Sequence, residues 1–205
     1  MSDTHGIRDN AVVSRAADGA VVVVVHLTGA LEPSDLQLLL GEARHFSARA
    51  IWAFGGTIDP ALGFASTGGY VRLEAPAPPA PLLLPTPPRE AIRGLQTTCF
   101  AGVWGRYESV SSDRASGYVG LHEKGRWVGI CQMDLIARWI DGPGVHPMLR
   151  TPERSAELVR GAAAYLPRNR VVTLETWGES DETIEAYRGL GFEVVEALAG
   201  WELRL

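Results

Sequence analysis

Cysteine is nearly missing from this 205-residue chain, which has only Cys99 and Cys131. They stand in no metal-ligand spacing, so the sequence implies neither a disulfide framework nor a zinc site, and reduced thiols in or near the core are expected. Long apolar runs are missing too. The longest, 20–25, is far too short to span a bilayer. The opening residues Met1, Ser2, Asp3, Thr4 and His5 lack the charged-then-apolar pattern of a secretion signal, so a cytoplasmic protein with no membrane partner is expected. No basic run occurs, and a net charge of −5 argues against nucleic acid as a partner, since phosphate backbones reward clustered Lys and Arg. The Gly-x-Ser-x-Gly elbow of an α/β-hydrolase is also absent.

What is present suits a folded chain. Apolar residues make up 46% and charged residues 21%, enough to bury a sizeable core and too apolar for disorder. Seven of the 13 prolines fall in 75–88. Proline fixes φ and removes a donor, so this stretch reads as an extended linker between a 1–74 part and an 89–205 part. Before it, the pattern predicts a strand over 21–27, a helix over 34–45 opened by Pro33, Ser34 and Asp35, and a strand over 50–54. After it come a helix over 89–100 and a hairpin pairing 118–122 with 127–133 across the turn 123–126. Next are a strand ending near Val145, a helix over 152–166, a strand over 171–176 and a helix over 181–190, with two short strands in the tail 192–205. Strands and helices mixed in this way predict an α/β layered fold.

Two segments carry chemistry. Gly144, Val145, His146, Pro147, Met148, Leu149 and Arg150 form a Val-x-Pro-x-x-Arg run that leads into a helix, and about 40 residues later Tyr187 stands four residues before Gly191 and Phe192. In this order and spacing the C-terminal part resembles the GNAT superfamily of acyl-CoA-dependent N-acyltransferases. The resemblance implies a mixed, mostly antiparallel central sheet flanked by helices, with acetyl-CoA as co-substrate and no metal. It implies that Val145 offers backbone groups to the pantetheine arm. The loop of Arg150, Thr151, Glu153, Arg154 and Ser155 would cradle the phosphates at a helix N-terminus. Tyr187 would protonate the departing thiolate. The implied activity is transfer of an acetyl group to a primary amine of a small molecule or peptide.

The loop departs from that pattern. Where the family has glycines, this chain reads Arg150-Thr151-Pro152-Glu153-Arg154-Ser155. Pro152 removes a donor, and Glu153 sets a carboxylate near the phosphate position, a repulsion of about 1 kcal/mol. Thr151 as cap and Pro152 at the first helical position make a good helix start, and Arg150 and Arg154 could reach phosphate through their side chains. The alternative is therefore a non-catalytic GNAT-like module, binding CoA or a partner. For the base that deprotonates the amine, Asp141, Glu175 and His146 are the candidates; Asp141 before Gly142 also reads as a turn residue, and His146 as a loop histidine. Ser180 suits a helix cap. Trp177 could line an acceptor pocket, as could Trp104, Tyr107 and Glu108 in the segment 100–112. A homodimer is compatible with the sequence.

The first part carries an echo of the second. A shift of 122 positions lays Asp59 over Asp181, Gly69 and Tyr70 over Gly191 and Phe192, and Gly56 over Gly178. This predicts a tandem arrangement in which a partial GNAT-like repeat precedes the full one. Ala65 stands where Tyr187 would be, and 28–33 has no phosphate signature, so that copy is expected to pack rather than catalyse.

Overall fold

The computed structural model describes residues 11–15, 20–99, 116–168 and 170–205. Nine strands and four helices form among them, and the strands follow the order β1-β2-β3-β9-β4-β8-β7-β6-β5 in a mixed sheet. Four of the six registered pairings described below are antiparallel. The chain divides into two compact units. The first holds the described residues up to Tyr70 together with Leu198–Leu205, and the second holds those between Val71 and Ala197.

In the first unit, β1 (Ala11–Arg15) pairs antiparallel with β2 (Val21–Ala30), helix α1 (Pro33–His45) follows, and β3 (Ala50–Thr57) returns parallel to β2. The parallel return needs a crossover, which α1 supplies. Val23, Val25, Leu36, Leu39, Ala43 and Ile51 bury their side chains together between the helix and these strands. A short turn, Pro60–Leu62, leads into β4 (Ala65–Ala75). The end of β9 (Glu193–Arg204) closes the unit antiparallel to β3, matching Ala50 with Arg204 and Phe54 with Gly200. The tail is thus one strand of 12 residues and not two short ones.

The second unit begins with the proline-rich stretch, which is extended as its composition requires and lies along the unit. The Gly120 N–H donates to the Pro85 carbonyl at 2.9 Å, and the Tyr165 hydroxyl donates to the Leu84 carbonyl at 3.2 Å. Helix α2 (Arg89–Cys99) follows, ending where the described residues end. The hairpin of β5 (Ser116–Glu123) and β6 (Arg126–Asp134) turns at Lys124 and Gly125, both at positive φ. From there the chain runs through β7 (Trp139–Val145), α3 (Pro152–Ala163), β8 (Val172–Trp177) and α4 (Asp181–Arg188). β6 and β7 are antiparallel, while β8 lies parallel to β7 with α3 as its crossover. Leu158, Val159 and Ala162 of α3 and Tyr187 of α4 share one core with Val119, Ile140 and Leu174.

Candidate functional site

The site is built on a parting between β7 and β8. Trp139 pairs with Thr173, Ile140 with Leu174 and Asp141 with Glu175, and there the register stops, although β7 runs on to Val145 and β8 to Trp177. On its other side β7 stays bonded to β6, with Val145 opposite Gly129 and Gly144 opposite Ile130. Between Ile130 and Gln132 the register shifts, so that Gly142 and Pro143 together face a single residue, Cys131. One extra residue in a strand bends it and increases its local twist. Pro143 also has no N–H to donate, which removes a ladder bond at the point of divergence. The chains are still tight at Gly142, where a Cβ would lie 3.0 Å from the Glu175 carbonyl oxygen.

Asp141 and Glu175 therefore stand side by side in register at the closed end of this parting. Asp141 is buried, and its backbone carbonyl accepts from the Cys131 thiol at 3.3 Å. Burial, and after it the nearby Asp141, hold that thiol well above the ordinary cysteine range, so Cys131 is a protonated core residue. Glu175 is half-buried. His146 serves the turn Pro147–Leu149, its Nδ1 accepting the Met148 N–H at 3.3 Å. The histidine is spent on holding the backbone.

Tyr187 lies in the core on α4, fully shielded from solvent. Its hydroxyl donates to Glu179 Oε1 at 3.3 Å, and Thr176 Oγ1 donates to the same oxygen at 3.2 Å. Ser155, buried in the first turns of α3, also hydrogen-bonds the phenol. Burial first, and the Glu179 carboxylate second, keep the Tyr187 proton on well above the ordinary tyrosine range. Glu179 was not read from the sequence. It sits just after Gly178, whose φ of 65° turns the chain between β8 and α4, and it precedes Ser180, the cap of α4 that accepts the Thr183 N–H. The readable signal would have been an acidic residue in the turn below a buried helical tyrosine.

The loop before α3 is arranged around its own groups. Thr151 caps the helix, its hydroxyl accepting the Arg154 N–H at 3.4 Å, and the Ser155 N–H bonds to the Thr151 carbonyl at 3.2 Å. The Glu153 carboxylate accepts its own backbone N–H and the Thr151 hydroxyl, which hold it below the usual carboxylate range. Arg154 forks onto Glu123 at 2.9 and 3.0 Å and gives its remaining nitrogen to the Leu149 carbonyl at 2.7 Å. Arg150 reaches the Cys99 carbonyl at 3.1 Å, tying the loop to α2. Both arginines are thus committed to protein oxygens. Val145 is buried at the end of β7. Trp177 ends β8 half-buried, and Trp104, Tyr107 and Glu108 lie outside the described residues. No group of three or more His, Cys, Asp or Glu able to hold a metal occurs among the described residues, and no helix among them is long and apolar enough to cross a membrane.

No protein-family model matches the sequence, and no curated protein matches it. Solved structures do match in shape. A GCN5-related N-acetyltransferase from Sphaerobacter thermophilus superposes with a TM-score of 0.56 at 18% identity, covering 95% of this chain and 76% of its own. A conserved protein of unknown function from Staphylococcus epidermidis does so with a TM-score of 0.59 at 13% identity, covering 91% and 84%. At such identities the likeness shows the fold: this chain has the GNAT fold, an α/β mixed sheet with helices around it.

Proposed function

We propose that the second unit is an acyl-thioester-dependent N-acyltransferase that passes an acyl group, acetyl in the simplest case, to an amine. The observation that carries this reading is the early end of the β7–β8 register at Asp141 and Glu175, short of the ends of both strands. The donor's pantetheine arm is an extended chain with two amides, and free strand edges bind such chains as an added strand would be bound. Asp141 or Glu175 would take the proton from the incoming ammonium, directly or through water. The amine nitrogen then attacks the thioester carbon, the C–S bond breaks, and the sulfur leaves as a thiolate hydrogen-bonded by the Tyr187 hydroxyl, taking its proton afterwards from solvent. Glu179 orients that hydroxyl. The Tyr187 phenol is a weak acid, so its main contribution is a hydrogen bond to the developing thiolate.

We further propose that the first unit is a shortened, non-catalytic GNAT-like copy. In support, β2-α1-β3 and β7-α3-β8 are both strand–helix–strand units with parallel strands, followed in the first by a short helical turn and in the second by helix α4, and in each then by a long strand.

A second reading, a non-catalytic binding module, is favoured by the internally satisfied α3 N-terminus. Calorimetric titration with acetyl thioesters, paired with a free-thiol release assay over a panel of amines, separates the two. Binding with amine-dependent thiol release supports the enzyme, and binding without release from any amine supports the module. Tyr187→Phe should lower kcat while leaving KM for the donor nearly unchanged, and an unchanged kcat removes Tyr187 from the mechanism.

A further inference from the structure

We infer that the acyl donor is recognised through its acyl-pantetheine arm and that the nucleotide end of a coenzyme A thioester contributes little to its binding. This rests on the thioester-binding reading above and narrows it to a donor class: acylated pantetheines, whatever is attached beyond the arm.

A helix N-terminus binds a diphosphate by offering N–H groups that have no other partner, aided by cations. Here several of these groups are already engaged. Pro152 has no N–H, the Glu153 N–H meets its own carboxylate, the Arg154 N–H meets Thr151 Oγ1 and the Ser155 N–H meets the Thr151 carbonyl. In the turn before, the Met148 N–H is on His146 Nδ1 and the Leu149 N–H on the His146 carbonyl. The cations are engaged as well, Arg154 with Glu123 and Leu149, Arg150 with Cys99. A diphosphate would have to expel the Glu153 carboxylate and then sit beside it, with Glu123 and Glu157 close to Arg154 in the same region. The arm's site has the opposite character. The β7–β8 register ends beside the Gly142–Pro143 bulge, a feature of the backbone and not of a cluster of cations. One half of the usual donor thus finds partners and the other half finds a like charge.

The test is calorimetric titration of the full chain with acetyl-CoA and with S-acetylpantetheine at low and high salt. The two dissociation constants should agree within about threefold and respond little to salt, because exposed charges contribute little to either. Acetyl-CoA binding tighter by about tenfold or more, and weakening with salt, overturns the inference while leaving the thioester reading intact. If neither ligand binds, both fall. Glu153→Ala removes the occupying carboxylate and frees an N–H at an exposed position; it should tighten acetyl-CoA about fivefold. No change in that variant would also overturn the inference, since Glu153 would not be what excludes the phosphates.

Discussion

Replacing Tyr187 with Phe tests the centre of the site through stability alone, without knowledge of the substrate. The ring is fully buried among apolar neighbours that Phe would contact equally, so the change deletes one hydroxyl and little packing. That hydroxyl donates to a carboxylate, a bond contributing about 1.5–3 kcal/mol in favourable geometry. At 3.3 Å it is long for O–H···O, and Glu179 keeps the Thr176 donor after the loss, so the lower end applies. The expected cost is about 1–1.5 kcal/mol at pH 7 by urea denaturation, with a coupling of about 1 kcal/mol to Glu179→Ala in a double-mutant cycle. The pH dependence is more specific. In the folded chain this phenol holds its proton well above the ordinary value of 10, so its stabilisation is complete below pH 10 and is lost as the pH rises toward the folded value. The Phe variant has no such group, so the gap between the two proteins should narrow by about 1.4 kcal/mol per unit above pH 10. A gap that stays constant to pH 11, or a variant as stable as the parent at pH 7 with no coupling to Glu179, refutes the assigned environment of Tyr187.

The remaining predictions concern the shell around this centre. Cys99, pushed up to about 11 by burial, and Cys131, also held well above the ordinary cysteine range, should both resist a thiol-specific disulfide reagent at pH 8 in the native protein and react fully in denaturant; rapid native labelling of two thiols would contradict their burial. In Gly161→Ala the new methyl would lie 2.4 Å from Leu84 Cδ1 and 2.7 Å from its Cγ, which should cost about 1–3 kcal/mol by thermal or urea unfolding as the proline-rich stretch is pushed off α3. Arg154→Ala breaks the fork to Glu123 and the bond to Leu149; because the pair is partly solvent-screened, only a small loss of stability by urea unfolding is expected, and a loss as large as that of Gly161→Ala would mean a buried charge pair.

Local chemistry was legible where a short segment decides its own shape. Thr151-Pro152-Glu153 announces a helix start, and α3 begins at Pro152 with Thr151 as its cap. The hairpin turn could be read from Gly125, which takes positive φ without a steric cost between two strand-like runs, although Lys124 beside it also adopts positive φ. What escaped was decided by contacts across the chain. β4 was not expected, and the tail was expected as two short strands; Gly68, Gly69 and Gly200 lie inside the long strands that form instead. In the structure these glycines allow close approach: a Cβ on Gly69 would lie 2.1 Å from the Leu198 carbonyl oxygen, and one on Gly200 would lie 2.7 Å from that of Gly68. Glycine that signals a bend in isolation here permits two strands to touch, and only the partner's position distinguishes the cases. Arg154 was read as available to phosphate for a similar reason. Its partner Glu123 is 31 residues away, beyond any local pattern.

The parting of the strands and the closure of the loop come from residues at opposite ends of one short segment. At its start, Gly142 and Pro143 act through what they lack, a side chain in one and an N–H in the other, so β7 leaves β8 without any polar group being spent on the opening. At its end, Thr151, Pro152 and Glu153 complete α3 with their own atoms, which stabilises the helix and engages N–H groups that an incoming anion would otherwise use. In a loop of glycines the helix end would be less stable and its N–H groups available, so the two properties trade against each other. This sequence has taken the self-capped solution at α3 while keeping the strand bulge. On the proposal above, recognition of an anion and recognition of an extended amide chain are separable within the GNAT fold, and this chain keeps the geometry for the amide chain.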